Sequence, residues 1–212
     1  MNTQPNIIWI TLDSVRGDRT TMADYDRDTT PNIAEIAQRP SGAAFTQCIS
    51  HGMWSLPSDA TVLSGKYPAE HGAGMWNDAL PEDITTIPER LQDHGYQTTG
   101  ISHNAYFSDG TGLSRGFDQF EWVHRSTFHK TAGVWLLFKF LAQLRQHGGG
   151  YTAPLSRHRP EYLVTELANR YIRSFAGQEQ PFFMFVHTQA AHLPYSPPLS
   201  HREDFTDEID LQ

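Results

Sequence analysis

Two short apolar runs, each ending in a polar group, constrain this chain more than any other feature. "NIIWITL" spans residues 6–12 and runs straight into Asp13, and "FFMFVHT" spans 182–188 behind Pro181. Runs this apolar and rich in β-branched or aromatic residues read as strands buried within a sheet, with the first expected at its centre. A third, "YQTTGIS" at 96–102, follows the helix-like "TTIPERLQDHG", where Gly95 offers a C-terminal stop. Further helices are expected at "TPNIAEIAQR", with Thr30 as cap and Pro31 in the first turn, at "PSDATVLSG" and at "PEYLVTELANRYIRSFAG". Strands separated by helices predict an α/β fold, a mostly parallel sheet sandwiched by helices. Ligands of such sheets gather beyond the carboxyl ends of the strands. Asp13, His103 and the His187–His192 segment all fall there.

With 212 residues the chain is long enough to bury a substantial core. The net charge of −8 and the lack of a basic stripe argue against a nucleic-acid partner. No apolar run is long enough to span a bilayer, and "MNTQPNIIWI" lacks the features of a signal peptide, so a cytoplasmic location is expected. Cys48 is the single cysteine, which excludes an internal disulfide, and in "FTQCIS" it reads as a small buried hydrophobe. "TAGVWLLFKFLAQLRQHGGG" is a strongly apolar helix pattern inside a helical insertion placed at 126–150. It is expected to cover the domain or a partner rather than a membrane surface. The Pro-rich, then acidic end beyond Ser196 reads as a loop or frayed terminus.

Several side chains can carry chemistry. Asp13 at a strand end is costly unless it is paired or binds a metal, and a cap or a partner for Arg16 is the structural alternative. Ser55 lies just before Pro57 and Ser58. A helix starting near Pro57 would aim backbone N–H groups at an anion held near Ser55, and a plain helix cap is the alternative. "SGK" at 64–66 lacks the spacing of a phosphate-binding loop, and "HTQAAH" is not a helical zinc motif. Among eleven histidines, His71, His103 and His192 stand near Gly, Asn or Pro in expected loops.

Taken in order, these stretches resemble a known family. "PNIIWITLDSVRGD" resembles an opening strand with a metal-binding Asp, and "TTPNIAEIAQ" the helix after it. "SLPSDATVLSGKYPAEHG" resembles the signature C/S/T-x-P-S-R-A-x-x-x-T-G-x-Y-P, with the nucleophile aligned at Ser55. "LQDHGYQTTGISHN" and "GLSRGFDQFEW" resemble the region of substrate-side basic residues, and "FFMFVHTQAAHLPYSPP" the strand and P-H-x-P-Y loop carrying a histidine near the leaving group. The chain is similar to the N-terminal part of the catalytic domain of sulfatase-type hydrolases in the alkaline phosphatase superfamily. The match runs almost its whole length.

The resemblance implies an alkaline-phosphatase-like fold, incomplete at its C-terminal side, that hydrolyses sulfate esters of small molecules or saccharides. It implies a catalytic set of Ser55, His192 and His103, and substrate contacts from Ser58, His71 and Asn104. Asp13, Ser14 and Ser55 would face a divalent metal, with Ca2+ expected and Mg2+, Mn2+ or Zn2+ as alternatives. Ser55 would act as such or after conversion to formylglycine. A phosphoesterase or phosphotransferase using unmodified Ser55 is the alternative activity. The sequence departs from the family in three places. Ser14 stands where an Asp-Asp pair is usual, Asp59 replaces the signature Arg, and the family's later metal ligands and substrate-binding Lys have no counterpart here. An inactive fragment, or one half of a split protein needing a partner chain, is therefore the non-catalytic expectation.

Overall fold

The computed structural model describes residues 4–124, 133–147, 160–193 and 195–204. Strands β1 (Ile7–Leu12), β2 (Gln97–Ser102), β3 (Gln119–Trp122) and β4 (Phe182–Thr188) form one parallel sheet in the order β1-β4-β2-β3. The helices between them are α1 (Pro31–Ala37), α2 (Ser55–Ser64), α3 (Pro68–His71), α4 (Ile87–Asp93), α5 (Gly133–Ala142), α6 (Leu144–His147) and α7 (Glu161–Phe175). Parallel strands need such crossovers, and the expected α/β sandwich is what forms.

Alternation along the strands divides the core in two. Phe183 and Phe185 of β4 pack with Leu56, Ala60 and Leu63 of α2 and with Phe107. Phe182, Met184 and Val186 point the other way, onto Leu163, Val164 and Leu167 of α7 and Leu136 and Phe140 of α5. The apolar helix thus lies on the domain through Leu136 and Phe140, and Lys139 Nζ reaches Glu166 at 2.7 Å. Residues 126–132 and 148–150 of the expected insertion, and 205–212 of the expected frayed end, lie outside the described residues.

Two expectations are corrected. β4 and β2 take the interior positions, and β1, expected at the centre, is an edge of the described sheet, with Ile8, Trp9 and Ile10 exposed by 45%, 44% and 60%. An apolar run reports that both faces of a strand are made for burial, but not which strands lie beside it. Cys48 is exposed, in a stretch, residues 43–54, that forms neither helix nor strand. β3 was not anticipated; "QFEW" is too short and mixed to show a period. No helix among the described residues is long and apolar enough to cross a membrane.

Candidate active site

The parallel register sets the site's first contacts. Leu12 lies beside Thr188, and Asp13 N–H donates to the Thr188 carbonyl at 2.9 Å, so Asp13 and Gln189 leave the sheet together. Gln189 Nε2 donates to Asp13 Oδ2 at 3.0 Å. Ser14 turns the chain with φ +64°, a left-handed conformation costly for a side chain with a Cβ, and its hydroxyl donates to Asp13 Oδ1 at 3.1 Å. Ser14 therefore orients Asp13.

Helix α2 brings the opposing wall. It begins at Ser55, two residues earlier than the sequence indicates, and Trp54 occupies the cap position without a side-chain cap. The Ser55 hydroxyl is thus not spent on capping. It donates to Asp13 Oδ2 at 3.2 Å from the first turn, where the helix N-terminus favours negative charge. Asn104 Nδ2 approaches the same oxygen at 3.5 Å, while its Oδ1 accepts from Tyr106 N–H at 2.8 Å. Burial works against the Asp13 charge, but donation from Gln189, Ser14 and Ser55 outweighs it and holds the carboxyl below its ordinary range.

One turn along α2, Asp59 is 2% exposed and faces His187, with Asp59 Oδ2 3.4 Å from His187 Nε2. His187 Nε2 is also 3.8 Å from Asp13 Oδ2. That spacing is short enough for an ion pair, but burial disfavours charge on both partners. Asp59 is pushed up to about 8, by desolvation first and by the Asp13 charge second, and His187 is pushed down to about 4 by desolvation. With no cation beside them, burial favours a protonated acid against a neutral imidazole near neutral pH.

These groups floor an open cleft of about 730 Å3, rimmed by Ser50, Met53, Trp54, Ser58, Tyr106 and His192. Ser58 Oγ lies 2.9 Å from Ser50 Oγ. His192 Nδ1–H donates to the Leu193 carbonyl at 2.8 Å.

Two of the expected site residues lie elsewhere. His103 follows Ile101 in the strand alternation and so turns to the α7 face, where its Nε2 lies 3.1 Å from Glu161 Oε1. It does not line the cleft. His71 is buried under α2: Ala73 N–H donates to Nδ1, so the Nε2–H donates to Thr61 Oγ1 at 3.1 Å. Burial pushes its pKa down, and its role is to tie α3 to α2 rather than to touch substrate. Sequence reasoning missed Gln189 and the Asp59–His187 contact. The apolar alternation Phe183, Phe185, His187 was the available signal for the second.

A hard cation needs several oxygen ligands. Asp13 and Ser55 offer oxygen at one point of the cleft floor, Asn104 turns its Nδ2 donor there, and the buried Asp59 Oδ2 makes no hydrogen bond among the described residues. Among the described residues no three His, Cys, Asp or Glu side chains converge to hold a metal by themselves. The donor set fits one side of a hard-cation shell.

The family model described as Sulfatase matches residues 5–210. The N-acetylglucosamine-6-O-sulfatase of Bacteroides thetaiotaomicron is 27% identical across 97% of this chain and 34% of its own length. A solved structure of a protein in complex with its substrate D-glucosamine-2-N,6-O-disulfate superposes with a TM-score of 0.70 at 22% identity, covering 98% of this chain and 39% of that one. The phosphonate monoester hydrolase of Agrobacterium radiobacter gives 0.68 at 22% identity, covering 92% and 42%. The chain therefore spans between a third and a half of the length of these relatives. With the family model covering nearly every residue, the chain belongs to the sulfatase family.

Proposed function

We propose that this chain supplies the nucleophile side of a site that hydrolyses sulfate esters of saccharides. The observation that carries the reading is the hydrogen bond from Ser55 Oγ to Asp13 Oδ2 at the first turn of α2. It aims the family's nucleophile position at the group best placed to favour its deprotonation. The relative acting as an N-acetylglucosamine-6-O-sulfatase and the neighbour holding a disulfated glucosamine support a sugar ester as substrate.

As formylglycine hydrate, position 55 would carry two hydroxyls. One oxygen bonds to sulfur as the bond from sulfur to the leaving alcohol breaks, and the leaving oxygen takes a proton, for which His192 Nε2 is the candidate donor. The second hydroxyl then loses its proton and collapses to the aldehyde. That expels sulfate, and water restores the hydrate. Asp13 with Ser55, and Asp59 beside them, would hold a divalent cation, Ca2+ for an oxygen donor set; bound there it polarises the ester oxygens and lowers the nucleophile's pKa. Asn104 and Gln189 keep the Asp13 carboxylate oriented, and Ser58 offers a hydroxyl to the substrate's anionic end.

Asp59 favours a second reading. It stands where the family's Arg helps recognition for maturation, so Ser55 would stay unmodified. An unmodified serine suits transfer of a phosphoryl group, because water can then cleave the phosphoserine. Peptide mapping of residues 52–66 by mass, with assays of the full-length protein on glucosamine 6-sulfate, aryl sulfate and aryl phosphate, decides between them. Unmodified Ser55 together with sulfatase turnover breaks the link between serine form and substrate. If Ser55→Ala keeps its hydrolysis, the nucleophile assignment is wrong.

A further inference from the structure

Beside the nucleophile stands an aromatic pair that the hydrolysis does not use. Trp54 precedes Ser55 directly, and Tyr106 follows the Asn104 turn that reaches Asp13. Their rings meet edge to face, with centroids 4.8 Å apart and planes at 76°. Both line the cleft, yet Trp54 remains 42% and Tyr106 48% exposed. Isolated exposed aromatics need no explanation, but these two are clamped. Gly74, at φ +75°, comes so close under Trp54 that an added Cβ would lie 2.9 Å from Cζ2 and 2.6 Å from Pro57 Cδ. Tyr106 is fixed by its N–H to Asn104 Oδ1 and by Thr111 Oγ1 donating to its carbonyl at 2.7 Å.

Rigid rings with an open surface, one residue from an attacking oxygen, make a platform for the ring that carries the ester. We propose that Trp54 and Tyr106 form this platform and that its occupant is a pyranose. Stacking accounts for the apolar side of the fit. The polar side chooses a sugar over a plain aryl ring. The indole N–H and the phenol hydroxyl have no hydrogen-bond partner among the described residues, and the Ser50 and Ser58 hydroxyls share the rim. A polyhydroxylated ring meets all of these, and an aryl ring meets only the stack. The proposal rests on Ser55 as nucleophile only for the position of the ester; binding of the ring is separable from turnover.

The test uses the full-length protein and glucosamine 6-sulfate. Trp54→Ala should raise KM roughly ten-fold, the scale of one lost aromatic contact, with a smaller change in kcat. Trp54→Phe should recover most of the loss, and the inhibition constant of inorganic sulfate should stay within about two-fold of the parent, since that anion does not reach the platform. Tyr106→Phe should raise KM for glucosamine 6-sulfate but not for 4-nitrophenyl sulfate. In saturation-transfer NMR, the sugar's ring protons should receive saturation from the parent and lose it in Trp54→Ala. Should Trp54→Ala fail to fold, Tyr106→Ala, which removes the other ring of the pair, gives the same readings. Unchanged KM in Trp54→Ala, or equal loss of both esters in Tyr106→Phe, overturns the platform or its sugar preference. A parent that hydrolyses neither ester but shows the transfer retires the sulfate-ester reading alone, and a parent that turns over the sugar ester without transfer to its ring retires the platform alone.

Discussion

The Asp59 carboxyl lies 3.4 Å from His187 Nε2 at the bottom of the cleft, with both side chains almost wholly out of solvent. The contact joins the helix that carries Ser55 to the strand beside Asp13. Its consequence is a pH dependence of stability with two regions. The folded state raises Asp59 from the ordinary 3.8 to about 8, so between those values it binds a proton the unfolded chain lacks, and stability falls as pH rises. His187 drops from 6.5 to about 4, so between those values the unfolded chain binds the extra proton, and stability rises with pH. From pH 4 to 6.5 the two slopes oppose each other. From 6.5 to 8 Asp59 acts alone, with a loss on the order of 1 kcal/mol per pH unit. Denaturant unfolding of chelator-treated protein should show a plateau and then a decline, and Asp59→Asn should remove the decline. An unaltered decline in that variant would assign it to another group.

Asp13 holds a negative charge next to Asp59, so Asp13→Asn should change the titration of Asp59. The Asp13 charge is one cause of the raised Asp59 pKa, and removing it should lower that value. Carbon-detected NMR titration of the Asp59 carboxyl in both proteins measures the change. An Asp59 midpoint that does not move downward would mean that burial alone accounts for the shift.

Gly65 and Gly74 both have positive φ, at +70° and +75°, but only Gly74 meets other atoms where a Cβ would stand. Gly65→Ala should cost about 1 kcal/mol, the conformational penalty at the end of α2. Gly74→Ala should cost clearly more, because Pro57 Cδ or the Trp54 ring has to move. Thermal unfolding of the two variants side by side measures the difference, and equal losses would show that Trp54 is not held by Gly74.

Ile8, Trp9 and Ile10 leave an apolar, unpaired edge on β1, and Ile36, Phe45 and Ile49 are exposed as well. A polypeptide of these 212 residues alone should self-associate or lose solubility through that edge. Size-exclusion chromatography with light scattering provides the measurement. A monodisperse monomer with a cooperative thermal transition would refute the expectation, and Ile10→Lys should shift an associated sample toward monomer.

Much of this architecture follows from local sequence. The apolar runs ending at Leu12 and Thr188 determine two strands, Gly65 and Gly95 stop two helices, and the spacing from Ser55 to Pro57 marks a helix start, because each depends on side-chain chemistry within a few residues. The family order of motifs locates Asp13, Ser55, Ser58, Asn104 and His192 as candidates, and the fold brings four of them to one cleft, with Asn104 reaching Asp13. Neighbours and directions are another matter, since they depend on strand order and on which way each residue turns. Tertiary structure alone put β1 at the edge of the described sheet, beside β4. It turned His103 away to Glu161 while its neighbour Asn104, just past the end of β2, faced Asp13. It buried His71 between Ala73 and Thr61, and it made Asp59, a substitution in a motif when read as sequence, the neutral partner of His187. A chain position one residue along a strand lands on the opposite face, so sequence proximity to a site does not determine membership in it.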